Sequence, residues 1–305
     1  MSEIAVRHTR EECFAHTNDW KKPYDGSIFD MFKDGSFELI DLSNPFGRGN
    51  PLWPSNGDFH IDRVQHMPMH YRLLQTFNDF HMHNSTHADS PSHVIPESPF
   101  THELPIQNYF GEAVCLDIPK KKWELITVED IEEAAKKVPG GIKEGDWVLL
   151  NTGTHRRWGE SDDYFAYSPG LSIDGAKWFV EHHVRGVGFD MQAIDHILYT
   201  YAADHGPGPY VPRIVEEYEE EFGHPALEDF PEWEPCHDIL MANNVMGIEN
   251  LGGDLDKVTN QRFLFCAFPL RWYMGDGTIV RAVAFVPSDR IDRSVPDKEY
   301  PYGVY

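Results

Sequence analysis

The stretch His83-Asn84-Ser85-Thr86-His87-Ala88-Asp89-Ser90-Pro91-Ser92-His93 decides how this chain is read. It sets three histidines and an aspartate in the pattern H-x-x-x-H-x-D-x-P-x-H. Imidazole and carboxylate are ligands that zinc and manganese favour. Core packing asks for no such cluster, so the stretch reads as the first half of a catalytic metal site. Geometry then restricts the backbone. Donor atoms of one ion lie roughly 2.0–2.2 Å from it. On an ideal strand, His83 and His87 share a face but stand roughly 13 Å apart, at about 3.3 Å per residue. On a helix those two are neighbours, but Asp89 points about 200° away from His87. The segment must therefore bend sharply near Ser85-Thr86, and Pro91 resists a continuous strand or helix. An irregular loop at the end of a strand fits, which is where functional residues often lie.

Outward from this stretch, strands are expected at 37–42 and 59–65, with a segment around 70–80 leading into the loop. Residues 1–36 are polar and aperiodic and read as an N-terminal arm. Thr127-Val128-Glu129-Asp130 is a helix start, with Thr127 as N-cap and Asp130 in the capping-box position. That helix should run to about Val138 and stop at Pro139-Gly140-Gly141. A second helix is expected from Ser172 to about His183, then a strand at 187–190. Residues 196–236 read as an insertion that decorates a pocket or an oligomer contact. They hold Gly206-Pro207-Gly208-Pro209 and the acidic run Glu216–Glu221, read as a solvated helix face. A helix at about 236–244 carries His237, and a short strand leads into Glu249. Strands at 263–268 and 279–286 close the sheet. Strands and helices do not alternate strictly, which favours an α+β or mixed-sheet fold. No linker is evident, so a single domain over 37–290 is expected, followed by a C-terminal tail at 291–305.

Composition excludes several classes. With 41% hydrophobic and 13% aromatic residues, the chain is not a disordered one. It has no apolar run of about 18 residues, and Met1–Phe14 has no apolar core of the secretory kind. The formal charge of −24 repels nucleic acid and anionic membranes. Four scattered cysteines, Cys13, Cys115, Cys236 and Cys266, suit free thiols in a reducing cytoplasm rather than a disulfide framework.

The same residues resemble the metal-dependent cyclase family, which includes bacterial kynurenine formamidases and isatin hydrolases. Its signature is H-x-G-T-H-x-D-x-P-x-H, and Ser85 stands here where the family usually has glycine. Further likenesses are Asp41-Leu42-Ser43, Trp53-Pro54, Gly111–Pro119, Gly145–Gly153, Gly188-Phe189-Asp190, Glu249-Asn250-Leu251, Phe268–Arg271 and Asp276-Gly277. The resemblance implies the swivelling β/β/α fold, a mixed β-barrel-like core flanked by helices. It implies that His83, His87 and Asp89 hold a first metal. Asp89 would bridge to a second ion completed by His237 and Glu249, and His93 would be the general acid/base. It implies one or two zinc or manganese ions and a homodimer or homotetramer.

The expected activity is a metal-dependent amide hydrolysis. The cation activates water and polarises a carbonyl, while His93, with an ordinary pKa near 6.5, moves the proton to the leaving nitrogen. Trp53, Phe46, Phe80 and Met191 are candidate pocket walls, so a small aromatic or cyclic substrate is expected. Asp190 and Asp195 are expected to bond the ligands or to fix their loop. Three other readings share these residues. One is ring opening of an isatin-type cyclic amide with one manganese. Another is a polyketide-type cyclase or lyase. The last is a metal-dependent small-molecule binder without turnover.

Overall fold

The computed structural model describes residues 35–47, 50–51, 53, 60–65, 74–78, 80–159, 161–201 and 213–300. The expected arm at 1–36, apart from its last two residues, therefore lies outside them, as do Gly206–Pro209 and the last five residues of the tail.

The strands, in chain order, are β1 (Phe37–Asp41), β2 (His60–Gln65), β3 (Leu74–Asn78), β4 (His87–Asp89), β5 (Phe110–Asp117), β6 (Leu125–Ile126), β7 (Trp147–Asn151), β8 (Gly170–Leu171), β9 (Gly186–Phe189), β10 (Met246–Glu249), β11 (Arg262–Cys266), β12 (Gly277–Ile279) and β13 (Val283–Pro287). Nine of them form one mixed sheet in the order β1-β13-β11-β5-β7-β9-β10-β4-β12. The centre, β5-β7-β9-β10, is parallel, and both flanks are antiparallel. This is an α+β fold with a curled, half-barrel sheet. The curl is held by one ribbon. Residues expected to form a single strand at 279–286 instead make two, because the chain bends through Val280–Ala282. There Val280 donates its N–H to the Thr86 carbonyl (3.0 Å) and Leu42 donates to the Ala282 carbonyl (2.9 Å). The ribbon thus pairs with β4 on one edge of the sheet and with β1 near the other.

Side chains alternate across the central strands, as a pleated backbone requires. Ala113, Cys115, Trp147 and Leu149 fill the inside of the curl with Phe265, Ala284 and Val286. Val114, Leu116, Val148, Leu150, Val187 and Phe189 face outward under helices. Those helices are α1 (Val128–Ala135), α2 (Ile173–Glu181) and, later in the chain, Pro235–Ala242. Helix α1 begins as its sequence dictates. Thr127 Oγ1 accepts the Asp130 N–H (3.3 Å) and Asp130 Oδ2 accepts the Thr127 N–H (2.8 Å), a reciprocal cap worth about 1 kcal/mol. It ends earlier than expected, the turn to Val138 being completed by tighter bonds from Lys137 and Val138.

The insertion docks through a third core. Helix α3 (Ile197–Tyr201) and helix α4 (Ile214–Phe222) bury Leu198, Ile214 and Tyr218 against Trp123 and Phe230. The acidic run is a solvated face only in part. Glu217 accepts the Tyr167 hydroxyl and Glu221 pairs with Lys122. His196 lies in this core, stacked on Phe230 with ring centroids 4.4 Å apart. One of its nitrogens meets the Trp123 carbonyl (3.1 Å) and the other accepts the Leu198 N–H (3.2 Å). The neutral ring is thereby fully satisfied, and burial pushes its pKa down to about 4. Helix α5 (Pro235–Ala242) then returns the chain to the sheet. Among the described residues no helix is long and apolar enough to cross a membrane.

Candidate metal centre

The bend demanded by the histidine spacing lies at Ser85, whose φ of 54° is in the left-handed region. Such a backbone costs a non-glycine residue about 1–2 kcal/mol. Here the serine hydroxyl returns part of it by donating to the carbonyls of Asn44 (3.2 Å) and Pro45 (3.1 Å). A hydroxyl anchor thus stands in for the glycine of the family signature. Thr86 ties the same bend to β10, donating to the Asn250 carbonyl at 2.6 Å. The chain then enters β4, so His87 and Asp89 sit on a strand rather than on an irregular loop. They share one face, while Ala88 turns to the inner core. His87 lies opposite Glu249 in the β4–β10 register, and Asp89 lies opposite Gly277 of β12. The glycine there is a steric necessity, because a Cβ would stand 2.5 Å from the His83 ring.

His237 arrives from the first turn of α5. Asp195 accepts the backbone N–H of Cys236 and of His237 (2.9 Å each) and the His237 Nδ1 (2.7 Å), fixing both helix entry and ring orientation. Cys236, one residue away, points elsewhere and donates to the Leu171 carbonyl. Glu249 Oε1 accepts the Ile194 N–H (2.8 Å) and lies 3.2 Å from His237 Nε2. Asp89 sits between the two halves. Its Oδ1 is 2.7 Å from His83 Nδ1 and 3.4 Å from His87 Nε2, and its Oδ2 is 3.7 Å from His237 Nε2. All five candidate ligands converge, as two groups sharing Asp89: His83, His87 and Asp89, then Asp89, His237 and Glu249.

These residues fit a divalent cation on chemical grounds. His87 Nδ1 donates to the Ser85 carbonyl (2.8 Å), which leaves Nε2 as a bare lone pair. That atom is buried without a hydrogen-bond partner, as is Asp89 Oδ2. Nε2 faces Glu249 Oε2 at 3.3 Å. Acceptors confronting acceptors in a buried site are costly unless a cation stands among them. Protons compete with such a cation for the same atoms. Burial opposes charging of His83, yet hydrogen bonds from its two nitrogens to Asp276 and Asp89 raise it to about 10. Burial likewise opposes ionisation of Asp89, but His87, His237 and His83 hold its carboxyl well below the usual range.

His93 stacks on His83 with centroids 3.9 Å apart, and its Nδ1 is 3.4 Å from Asp276 Oδ2. Asp276 also meets His83 Nε2 at 3.0 Å, and hydrogen bonds from both rings depress its pKa. In the sequence Asp276 belongs to the Asp276-Gly277 family likeness, with no site role attached to it. Nothing local marks it, since it lies in a turn far along the chain from His83. His83, His93 and Asp276 form a third group of the kind that could hold an ion.

The centre opens into a cleft of about 590 Å³ whose outer wall includes Trp53, Phe80, Met82, Trp233, Gln192 and Glu234. Two expected wall residues are elsewhere. Met191 is fully buried in the core beneath the helices, because the turn after Asp190 directs it inward. Phe46 packs edge-on against Phe80, at 5.4 Å, and is not among the lining residues. His81, two residues before His83, also lines the cleft. The insertion supplies Trp233 and Glu234, which no motif marks. Asp190 does not touch the ligands but accepts bonds from Thr152, Gly153 and His155.

A curled mixed sheet with a histidine–carboxylate cluster on a β4–β10 face defines a metal-hydrolase-like class of site. The Cyclase family model matches residues 40–196, and the chain belongs to that family. Its relatives include an isatin hydrolase of Roseibium aggregatum, 24% identical over 83% of this chain and 93% of the relative. A kynurenine formamidase of Bacillus cereus is 23% identical over 81% of this chain and 96% of the relative. Among solved structures, isatin hydrolase A from Ralstonia solanacearum superimposes with a TM-score of 0.68 at 22% identity, covering 87% of this chain and 99% of its own.

Proposed function

We propose that this protein hydrolyses a C–N amide bond of a small aromatic or cyclic substrate, using zinc or manganese. The observation that carries the reading is the pair of orphaned, buried acceptors, His87 Nε2 and Asp89 Oδ2, set among Glu249 and His237. His83, His87 and Asp89 would hold one ion, and Asp89, His237 and Glu249 a second. A divalent ion in such a site supplies Lewis-acid polarisation of a carbonyl and a lowered pKa for water.

The chain's own residues do the remainder. Asp276 accepts the Nδ1 proton of His93 and so orients the imidazole. The other nitrogen is then available to take a proton from water and return it to the leaving nitrogen, an assistance worth about 10²–10⁴-fold. Trp53, Phe80 and Trp233 favour a flat ring. The isatin and kynurenine names of the relatives agree with a ring-bearing amide. We further propose a homodimer or homotetramer working in the cytoplasm, on a small molecule and without nucleic acid or membrane.

The test is a panel of aryl formamides, lactams and carbamates, assayed with zinc and manganese separately and after exhaustive chelation. Turnover that needs the metal, and a His93→Gln variant with full metal content but at least about 100-fold lower kcat, is the expected result. Amide cleavage that survives chelation sinks the reading.

A further inference from the structure

One polar side chain in the cleft has no work inside the protein. Gln192 is 96% buried, with 4% relative exposure, and lines the cleft beside the metal centre. Its Oε1 is buried without a hydrogen-bond partner, and its side chain makes no hydrogen bond among the described residues. A buried carboxamide left unpaired costs stability. Sheet geometry gives it no role either, since the neighbouring contacts to Glu249 and Asn250 come from the backbone of Ile194 and Met191. The residues around it point the same way. Glu234, a second acceptor on the cleft wall, adopts a left-handed φ of 41° immediately before Pro235, and its carboxyl forms no hydrogen bond among the described residues. A strained backbone that presents a polar side chain to a cavity is a mark of function. No lysine or arginine lines the cleft among the described residues. Two acceptors with no hydrogen-bond partner among the described residues ask for a ligand that brings donors.

We infer that Gln192 is the specificity-determining residue of this cleft, its carboxamide oxygen accepting an N–H of the substrate. The class of substrate follows. It is a neutral or cationic, ring-bearing secondary amide, lactam, imide or ureide that keeps a hydrogen on nitrogen. N-alkylated analogues are refused, because they leave the acceptor buried and unpaired. This deepens the amide-hydrolase reading and rests on it for the reaction, but not for the recognition.

The experiment compares matched pairs, formanilide with N-methylformanilide and phthalimide with N-methylphthalimide, on the metal-loaded protein and on Gln192→Leu. Turnover and calorimetric binding are both measured. The wild type is expected to prefer the N–H member by about 100-fold or more. Gln192→Leu should lose about 10–100-fold on that member and change little on the N-methyl member, so that the preference collapses. Metal content should be unchanged. The melting temperature of Gln192→Leu should be equal or higher, because an orphaned polar group has been removed. A lower melting temperature with equal loss on both members marks Gln192 as structural and overturns the inference. So does a wild type that accepts both members alike or binds neither N–H compound. Discriminating binding without turnover would retire the hydrolase reading and leave the recognition standing. Turnover without discrimination does the reverse.

Discussion

Two buried histidine–aspartate pairs in this protein are built alike and end differently. His237 Nδ1 meets Asp195 at 2.7 Å, and His155 Nδ1 meets Asp190 at 2.8 Å. In each, the aspartate also accepts the backbone N–H of its histidine. The difference lies at the second nitrogen. His155 Nε2 reaches Asp256 (3.3 Å), which Arg156 closes off with two bonds and Asn151 with a third. Every charge there has a partner. His237 Nε2 reaches Glu249 and Asp89, carboxylates that no lysine or arginine accompanies in the cleft lining among the described residues. A histidine oriented by a carboxylate is therefore not in itself a metal ligand. What faces its free nitrogen decides.

The sharpest way to break this contrast is to remove each histidine. His155→Asn leaves the carboxylate of Asp190 buried without its counter-charge, and should cost roughly 3–5 kcal/mol of stability with metal content intact. His237→Asn should instead lose metal and turnover. Urea unfolding and metal analysis on both proteins check this, and matching behaviour would erase the distinction. A third buried histidine extends the comparison, since His196 has no carboxylate bonded to it and stays neutral. Its folded pKa, about 4, lies below the unfolded value near 6.5. Its contribution is therefore complete above pH 6.5 and is lost as pH falls toward 4. The stability gap between wild type and His196→Gln should shrink by roughly 2–3 kcal/mol between pH 7 and pH 4.5.

Smaller effects sharpen the contrast further. Asp195→Asn keeps the shape of the His237 support but weakens its polarity, so metal affinity should fall about 10–100-fold by competition with a chromophoric chelator. At the bend, Ser85→Ala keeps the left-handed strain and loses the hydroxyl anchor, and should destabilise by about 1–2 kcal/mol. Ser85→Gly loses both together and should stay within about 1 kcal/mol of wild type. A Ser85→Ala protein as stable as wild type would mean that the anchor contributes nothing.

The order in which these features could be read from the sequence has a physical basis. His83, His87, Asp89 and His93 declare themselves because the chemistry is crowded into eleven residues, where no packing pattern competes. The cap at Thr127 is legible for the same local reason and it forms, while the helix expected from Ser172 proves to be capped as well, the Ser172 hydroxyl accepting the Gly175 N–H. Asp276 is legible as part of a family likeness but not as a site residue, because its partners are brought to it only by the pairing of β12 with β4. Met191 and Gln192 are neighbours in one turn, one in the core and one on the cleft. No hydropathy rule orders two such residues without the backbone. The run Val280–Val286 hid its bend, since Val280, Ala282, Ala284 and Val286 all face the same core while their hydrogen bonds go to different strands. The aromatic wall was half visible. Phe80 lies just before the signature and Trp53 in the Trp53-Pro54 likeness, whereas Trp233 arrives from the insertion.

The ribbon from Gly277 to Pro287 latches the curl and follows directly on Asp276, the partner of two cleft histidines. Shape and chemistry are hence wired in series. A chain severed there would forfeit both at one stroke, whereas new ends opened at the exposed Pro139-Gly140 turn should spare each of them. Anyone wishing to rearrange this protein has a place to cut, and one stretch to leave whole.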